Sequence, residues 1–373
     1  MKVANGYEFV AMLEQIAPKK LAMEGDPIGL EVGDLSKKVR KIMFALDVLE
    51  TVVDEAIEKN VDMIIAHHPL LFRPVSKIDM TTAHGRMLRK LIKHDIIVYA
   101  AHTNLDIADG GVNDLLAELL ELENTEVIVP TYHEDYAKIA VYVPEESHEA
   151  VRLALANNGA GEIGLGYEHC SFTVSGTGRF KPNKNANPSI GKALELTEVK
   201  EVKIEAVFPF SKKDQLIKAV KLVHPYEEPA IDVYKLENMS KTTGLGRVGQ
   251  LKKEITADAF IDIVKNALAL EYVRYIGDTS KTIQKVAVIG GDGNKFIYYV
   301  KHSGADIFIT GDVYYHTAHD LLALDLPTID AGHNIEKIMK GYLKKCFVAR
   351  CKALDYEVDL IVSEINTDPF QFL

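Results

Sequence analysis

The chain has 373 residues, 47% of them hydrophobic and 26% charged, which is enough for two or three compact units with a sizeable core. No apolar run approaches the ~18 residues of a membrane span, and the N-terminus lacks the apolar stretch and cleavage site of a signal peptide, so a cytoplasmic location is the default. Lys+Arg 43 against Asp+Glu 54 leave a formal net charge of -11, which opposes non-specific attraction to nucleic acid; Cys170, Cys346 and Cys351 show no CxxC spacing and read as buried free thiols.

In chain order, GYEFVAMLEQI (6–16) spaces its apolar side chains as one helix face, and GDPIGLEVGD (25–34) is a Gly- and Pro-bearing loop leading to a short strand. KIMFALDV (41–48) predicts a strand, LETVVDEAIEKN (49–60) an amphipathic helix and VDMIIA (61–66) a second, buried strand. This β-α-β spacing predicts parallel strands with ligand groups at their carboxyl ends. A helix over 84–95, the strand IIVYAA (96–101), the loop HTNLDIADGG (102–111) and a helix over 114–122 complete the unit.

The pattern returns far downstream. KVAVIGG (285–291) matches KIMFALD, NKFIYYVKHSG (294–304) takes the helix position, and ADIFITGDVYYH (305–316) matches VDMIIAHHPLLF. Lys41 to Val61 and Lys285 to Ala305 are both offsets of 20 residues. After a helix over 316–325, LPTIDAGHNIE (326–336) parallels IIVYAAHTNLD. The reading is a degenerate α/β repeat, in which His102 and His333 hold similar strand ends facing a shared cleft; ordinary α/β regularity is the alternative.

Between the halves, AKIAVYVP (137–144), a helix over 145–159, YEHCSFTVSGTG (167–178), EVKIEAVFP (201–209), a helix over 211–224 and PAIDVYKLE (229–237) follow β-α-β, β-α-β order, that of a ferredoxin-like α+β sheet. The Asn-, Pro- and Lys-rich FKPNKNANPSIGKALELT has loop composition. The expected organisation is an N-terminal α/β lobe (1–127), an inserted domain (128–240) and a C-terminal α/β lobe (241–373) that ends in a helix and the strand VDLIVSEI.

His67 and His68 close a buried strand, and Pro69 biases His68 toward an extended backbone. Neighbouring side chains diverge in extended chain, so two adjacent imidazoles suit two ions side by side rather than one. Asp106 and the pair His333/Glu336, which share one helical face at i, i+3, are the groups available to complete or bridge such a site. For the histidine pair alone, locally hydrogen-bonded imidazoles compete with this reading; three sets of His and carboxylate at comparable strand ends favour metal. Other candidates carry a plainer reading beside the functional one. GGDGNK (290–295) is a phosphate nest or a tight turn, Arg73 and Lys77 are phosphate contacts or solvated surface, and His102, His316 and His319 are proton-transfer groups, with helix packing equally apt for His319.

DMIIAHHPLLF, AHTNLD, GDVYYHTA and DAGHNIEK, with GDPIGLEVG near the start, resemble the GTP cyclohydrolase 1 type 2 homolog family, also called the Ngg-one-interacting-factor-three-like family. The resemblance covers both outer segments, and the middle one resembles the accessory domain of longer bacterial members. It implies an α/β fold of two related α/β lobes around a dinuclear metal cleft, with the inserted ferredoxin-like domain, in a toroidal homohexamer. Carried over residue by residue, it places two divalent ions, zinc foremost with manganese, iron or cobalt as alternatives, on His67, His68, Asp106, His333 and Glu336, the glutamate bridging. Some members space the last His and Glu by four residues where this chain has three, and both spacings keep one helical face. HPYEEPAIDVY (224–234) resembles a recurring accessory-domain segment, related in fold to signal-transduction and copper-tolerance proteins, and offers His224, Glu227 and Glu228 as a further metal set or simply a loop entering a strand.

The activity so implied is metal-dependent hydrolysis of a nucleotide-like small molecule, by name the opening of the guanine ring of GTP with formate release, with His102 moving a proton. A phosphoesterase would use the same groups. The alternative class is a metal-binding regulatory or scaffold protein whose inserted domain senses a small effector.

Overall fold

The computed structural model describes residues 2–164 and 166–371. Two compact units form, one from the chain through Tyr132 together with Thr243 onward, the other from His133–Thr242. The strands Glu123–Pro144 and Ile231–Thr256 carry the chain between them. Among the described residues no helix is long and apolar enough to cross a membrane.

The first unit holds two sheets. One has the order Gly29–Val32, Ile97–Ala100, Met63–Ala66, Lys41–Ala45, Asp359–Val362, parallel except for its first strand. Met63–Ala66 and Ile97–Ala100 are buried at every position, as expected of parallel strands covered on both faces. In the other, Thr282–Asp292, Ile307–Gly311 and Thr328–Asp330 run parallel, flanked by antiparallel Ile231–Thr256 and Arg274–Ile276.

The two sheets repeat one frame. Ile42 pairs with Met63 and Val286 with Ile307, the same separation along the chain. The carboxylate of Asp62 accepts the amides of Arg40 and Lys41 at 2.7 and 3.1 Å, and that of Asp306 accepts those of Gln284 and Lys285 at 2.9 and 2.8 Å. On the third strands Val98 pairs with Ile64 and Thr328 with Phe308, and a five-residue helical turn follows each, Thr103–Ile107 and His333–Lys337. Asp106 and Glu336 therefore occupy the same position of the repeat. His102 and His333 do not: the register equates His333 with Thr103, one residue on, because each turn begins there.

The C-terminal segment ties the sheets together. After the turn His333–Lys337, helix Ile338–Ala353 lays Phe347 edge-on against Phe44 of the first sheet, with ring centroids 5.1 Å apart. The last strand, Asp359–Val362, pairs parallel with Lys41–Ala45 and so extends the first sheet rather than the second, where the sequence order suggests it. One apolar core contains Phe44, Ile65, Val286, Ile307, Leu343 and Phe347, drawn from both sheets and this helix.

The second unit runs strand, helix, two strands, helix, strand. Ala137, Ile139, Val141 and Val143 alternate along one strand, Val202, Ile204, Ala206 and Phe208 along its neighbour, and both sets share a core with Val151 and Leu155 of one helix and Leu216 and Val220 of the other. Both helices thus cover one sheet face, and Tyr142, Glu201 and Lys203 fall on the other.

Phe347 is fully buried, so Phe347→Ala should destabilise the protein by about 3–5 kcal/mol in denaturant titration. A loss below about 1 kcal/mol would show that the helix does not join the sheets as described.

Candidate metal centre

His67 and His68 continue the line of Met63–Ala66, their amides donating to the carbonyls of Ala45 and Leu46 at 3.1 and 2.9 Å. Side chains alternate there, yet both rings reach the same cleft, their centroids 5.0 Å apart. His67 is wholly buried, and its Nδ1 donates to the carbonyl of Ala101 at 2.9 Å. A carbonyl can only accept, so Nδ1 carries a proton and Nε2 is the nitrogen that faces the cleft. The same logic holds for His68, whose Nδ1 donates to Asp47 at 2.6 Å, and for His333, whose Nδ1 donates to Asp312 at 2.7 Å. A carboxylate or carbonyl behind a ring fixes its orientation and raises its basicity as a ligand.

The three Nε2 atoms converge on one oxygen. Oε2 of Glu336 lies 3.5 Å from that of His67, 3.0 Å from that of His68 and 3.3 Å from that of His333. Asp106 joins them, its Oδ1 3.4 Å from Nε2 of His67. His67, Asp106 and Glu336 form one set of ligand atoms within 4.8 Å of one another, and His68, His333 and Glu336 form another. All five sequence-derived metal residues thus meet, and Glu336 belongs to both sets. A third set adds His102 to His67 and His68.

The donor set fits a cation. Nε2 of His67 and Oδ1 of Asp106 are buried without a hydrogen-bond partner, a desolvation cost that a cation between them would relieve. Burial pushes the Asp106 carboxyl up to about 6 despite the opposing pull of His67. Burial acts in the same direction on Glu336, but His67, His333 and His68 overcome it and hold that carboxyl well below its usual range. Burial works against charge on His68 and His333, yet their carboxylate partners prevail and raise them to about 10 and about 9. A cation entering the cleft takes the place of protons.

Two glycines explain why the repeat yields an asymmetric site. Gly311 matches His67 in the strand register; a Cβ there would stand 2.7 Å from the carbonyl carbon of Gly332 and the amide of His333, so backbone fills the space the imidazole takes in the first half. Gly291 stands at the chain offset of Asp47, in the stretch where the second half shifts register between Val288 and Asp292; its Cβ would lie 2.7 Å from Oε1 of Glu336 and 3.0 Å from Nε2 of His333, and its φ of +59° favours glycine in any case. Asp312 matches His68 and serves as the support of His333 instead.

A cavity of about 1100 Å³ opens onto the site, with Asp106, His68, His102, His333 and Glu336 on its wall. His102 hydrogen-bonds Asp26 at 2.8 Å through Nδ1, and Asp26 is held by the amide and hydroxyl of Thr103. The supporting roles of Asp26, Asp47 and Asp312 are not marked in the sequence, although each sits in a motif segment, GDPIGLEVG, KIMFALD and GDVYYHTA. Arg73 and Lys77 are not on the cavity wall, where Arg274 and Lys295 supply the cations and Phe72, Tyr314 and Phe370 the aromatic surface. The amides of GGDGNK are engaged: Gly290 donates to Asn113, Gly293 to Thr310 and Asn294 to Asp292, which favours the turn reading. His316 and His319 pack on Tyr315, off the cavity wall. In the second unit His224 uses both ring nitrogens within the protein, Nε2 to the carbonyl of Tyr142 at 3.0 Å and Nδ1 accepting the amide of Tyr226 at 3.1 Å, which leaves none for a metal.

Residues 4–369 match the family Duf34/NIF3 (NGG1p interacting factor 3). Proteins named GTP cyclohydrolase 1 type 2 homolog from Listeria monocytogenes and Bacillus subtilis are 67% and 51% identical over 372 residues, covering all of both chains in each pair. Among solved structures, a Bacillus cereus protein related to NIF3 superposes with a TM-score of 0.93 at 48% identity, and a Staphylococcus aureus protein with 0.76 at 32%, each covering all of both chains.

Asp47→Asn, which keeps shape but weakens the support of His68, should lower metal affinity about 10- to 100-fold in competition with a chelator. Gly291→Ala should lower the bound metal measured by elemental analysis in protein of unchanged circular dichroism. Unaltered affinity and metal content in both variants would separate these residues from the metal.

Proposed function

Because this chain belongs to the DUF34/NIF3 family, we propose that it is a hydrolase of a nucleotide-like substrate that works with two divalent ions. The observation that carries the reading is the shared oxygen of Glu336, which lies within 3.5 Å of Nε2 of all three imidazoles. His67, Asp106 and Glu336 would hold one ion and His68, His333 and Glu336 the other, Glu336 being common to both sets. Bound there, such ions lower the pKa of water and polarise an acceptor centre.

The remaining chemistry falls to the protein's own groups. Asp47, Asp312 and the carbonyl of Ala101 keep three Nε2 atoms aimed inward. His102, anchored through Nδ1 by Asp26, presents its other nitrogen to the cavity and is the group assigned to proton transfer. Phe72, 6.3 Å from His102 between ring centroids, and Tyr314 offer faces for a base, while Lys295 supplies positive charge for phosphate beside Arg274, whose guanidinium is paired with Asp330. The relatives' name makes GTP the first substrate to try. The assembly that accompanies this reading is a homohexamer.

Protein loaded with zinc, manganese, iron or cobalt should turn over GTP or another member of a nucleotide and phosphoester panel, and His67→Ala combined with Glu336→Ala should abolish that turnover. Absence of turnover with every metal, or turnover that survives the double substitution, would contradict the proposal. Light scattering should give a hexamer mass, and a monomer would contradict the assembly.

A further inference from the structure

Among the described residues the loop HPYEEP gathers no set of converging metal ligands, but it does roof a cavity. In the second unit, on the sheet face away from the helices, a space of about 310 Å³ lies between the strands and two loops, residues 181–190 and 224–230. That volume is in the range of small-molecule sites. Its floor follows from the register: Tyr142 pairs with Lys203 and Gly176 with Glu201, so Tyr142 and Glu201 point to one face together with Phe180. Gly176 has nothing within 4 Å of where a Cβ would stand, and a Cβ on Gly178 would overlap the carboxylate of Glu201; the two glycines clear the floor and give that carboxylate its place. The roof is fastened to the walls: Tyr226 donates its hydroxyl to Glu201 at 2.7 Å, the amide of Asn187 donates to Glu227 at 3.0 Å, and His224 is tied to Tyr142 as described.

The lining combines three aromatic rings with three carboxylates. Phe180 and Tyr226 meet edge to face with centroids 5.7 Å apart, Tyr142 is the third ring, and Glu201, Glu227 and Glu228 supply negative charge. Arg179 also reaches the wall, but its guanidinium is paired with Glu198 at 2.9 Å; Lys181 sits on the neighbouring loop. The acids do not converge as metal ligands do: among the described residues, every set of three ligand atoms within 4.8 Å lies at the centre in the first unit. Dispersed carboxylates around aromatic faces suit a cation with an apolar surface, which rings attract through their quadrupole and carboxylates through charge. An anion would meet the three glutamates.

We propose that this cavity binds a small organic ammonium ion, held by the rings of Tyr142, Phe180 and Tyr226 and the carboxylate of Glu201. The inference does not depend on the metal reading, since all of its residues lie in His133–Thr242.

The test is calorimetric and saturation-transfer NMR titration of the full-length protein with choline, tetramethylammonium and n-butylammonium, and with 3,3-dimethylbutan-1-ol, the neutral counterpart of choline. At least one of the ammonium ions should bind saturably at millimolar concentration or below. The alcohol should bind about tenfold or more weakly than choline if choline is the ion that binds. Glu201→Gln, which keeps an acceptor for Tyr226, and Tyr226→Leu should each weaken ammonium binding about fivefold or more, with folding checked by circular dichroism. His67→Ala should leave it unchanged, which separates this site from failure of the metal centre. No saturable binding by any of the three ions, equal affinity for the neutral alcohol, or full binding in both folded variants would overturn the proposal.

Discussion

A single buried carboxylate governs the first unit. Glu336 is 3% exposed, and a lone carboxylate so placed would take up a proton. It stays ionised because three imidazoles meet its Oε2, and those imidazoles are in turn held by Asp47, Asp312 and the carbonyl of Ala101. Removing one member of such a buried network leaves the others unpaired, so the local structure is specified as a whole. Cations are the natural partners of this arrangement, because they can satisfy His67 and Asp106, whose facing atoms have no hydrogen-bond partner within the protein.

The same frame is built twice and used differently. Each half presents a carboxylate at the fourth position of the turn after its third strand, Asp106 in one and Glu336 in the other. The halves diverge at the ends of their earlier strands. Where the first half has Asp47, His67 and His68 the second has Gly291, Gly311 and Asp312, and the glycines admit the turn that carries His333 and Glu336. The C-terminal strand then crosses to the first sheet, and Thr367 beyond it donates its hydroxyl to Asp47. The tail is thereby coupled to the orientation of His68.

Much of this was legible in the residues. Buried apolar runs ending in histidine or carboxylate announce strand ends, and the equal spacing of 41–61 and 285–305 announces the repeat, which the paired Asp62 and Asp306 bear out in hydrogen bonds. His102 and His333 stand at similar strand ends but one position apart, and the register equates His333 with Thr103, as the paired segments 96–106 and 326–336 do. The supporting role of Asp26, Asp47 and Asp312 is not legible in the sequence: an aspartate at a strand end is common, and only its distance to an imidazole marks it as a support. The crossing of Asp359–Val362 was likewise invisible, since periodicity identifies a strand but not its partner. For HPYEEP the sequence showed a concentration of polar groups, and the structure decided their use by occupying both nitrogens of His224 and turning Tyr226 toward Glu201.

The central claim is that Glu336 bridges two ions. Anomalous diffraction from crystals grown with zinc, recorded on either side of the zinc absorption edge, tests it directly. Two peaks about 3.5–4 Å apart, one beside His67 and Asp106 and the other beside His68 and His333, with the Glu336 carboxylate between them, are the predicted result. A single peak, or peaks that do not touch Glu336, would contradict it.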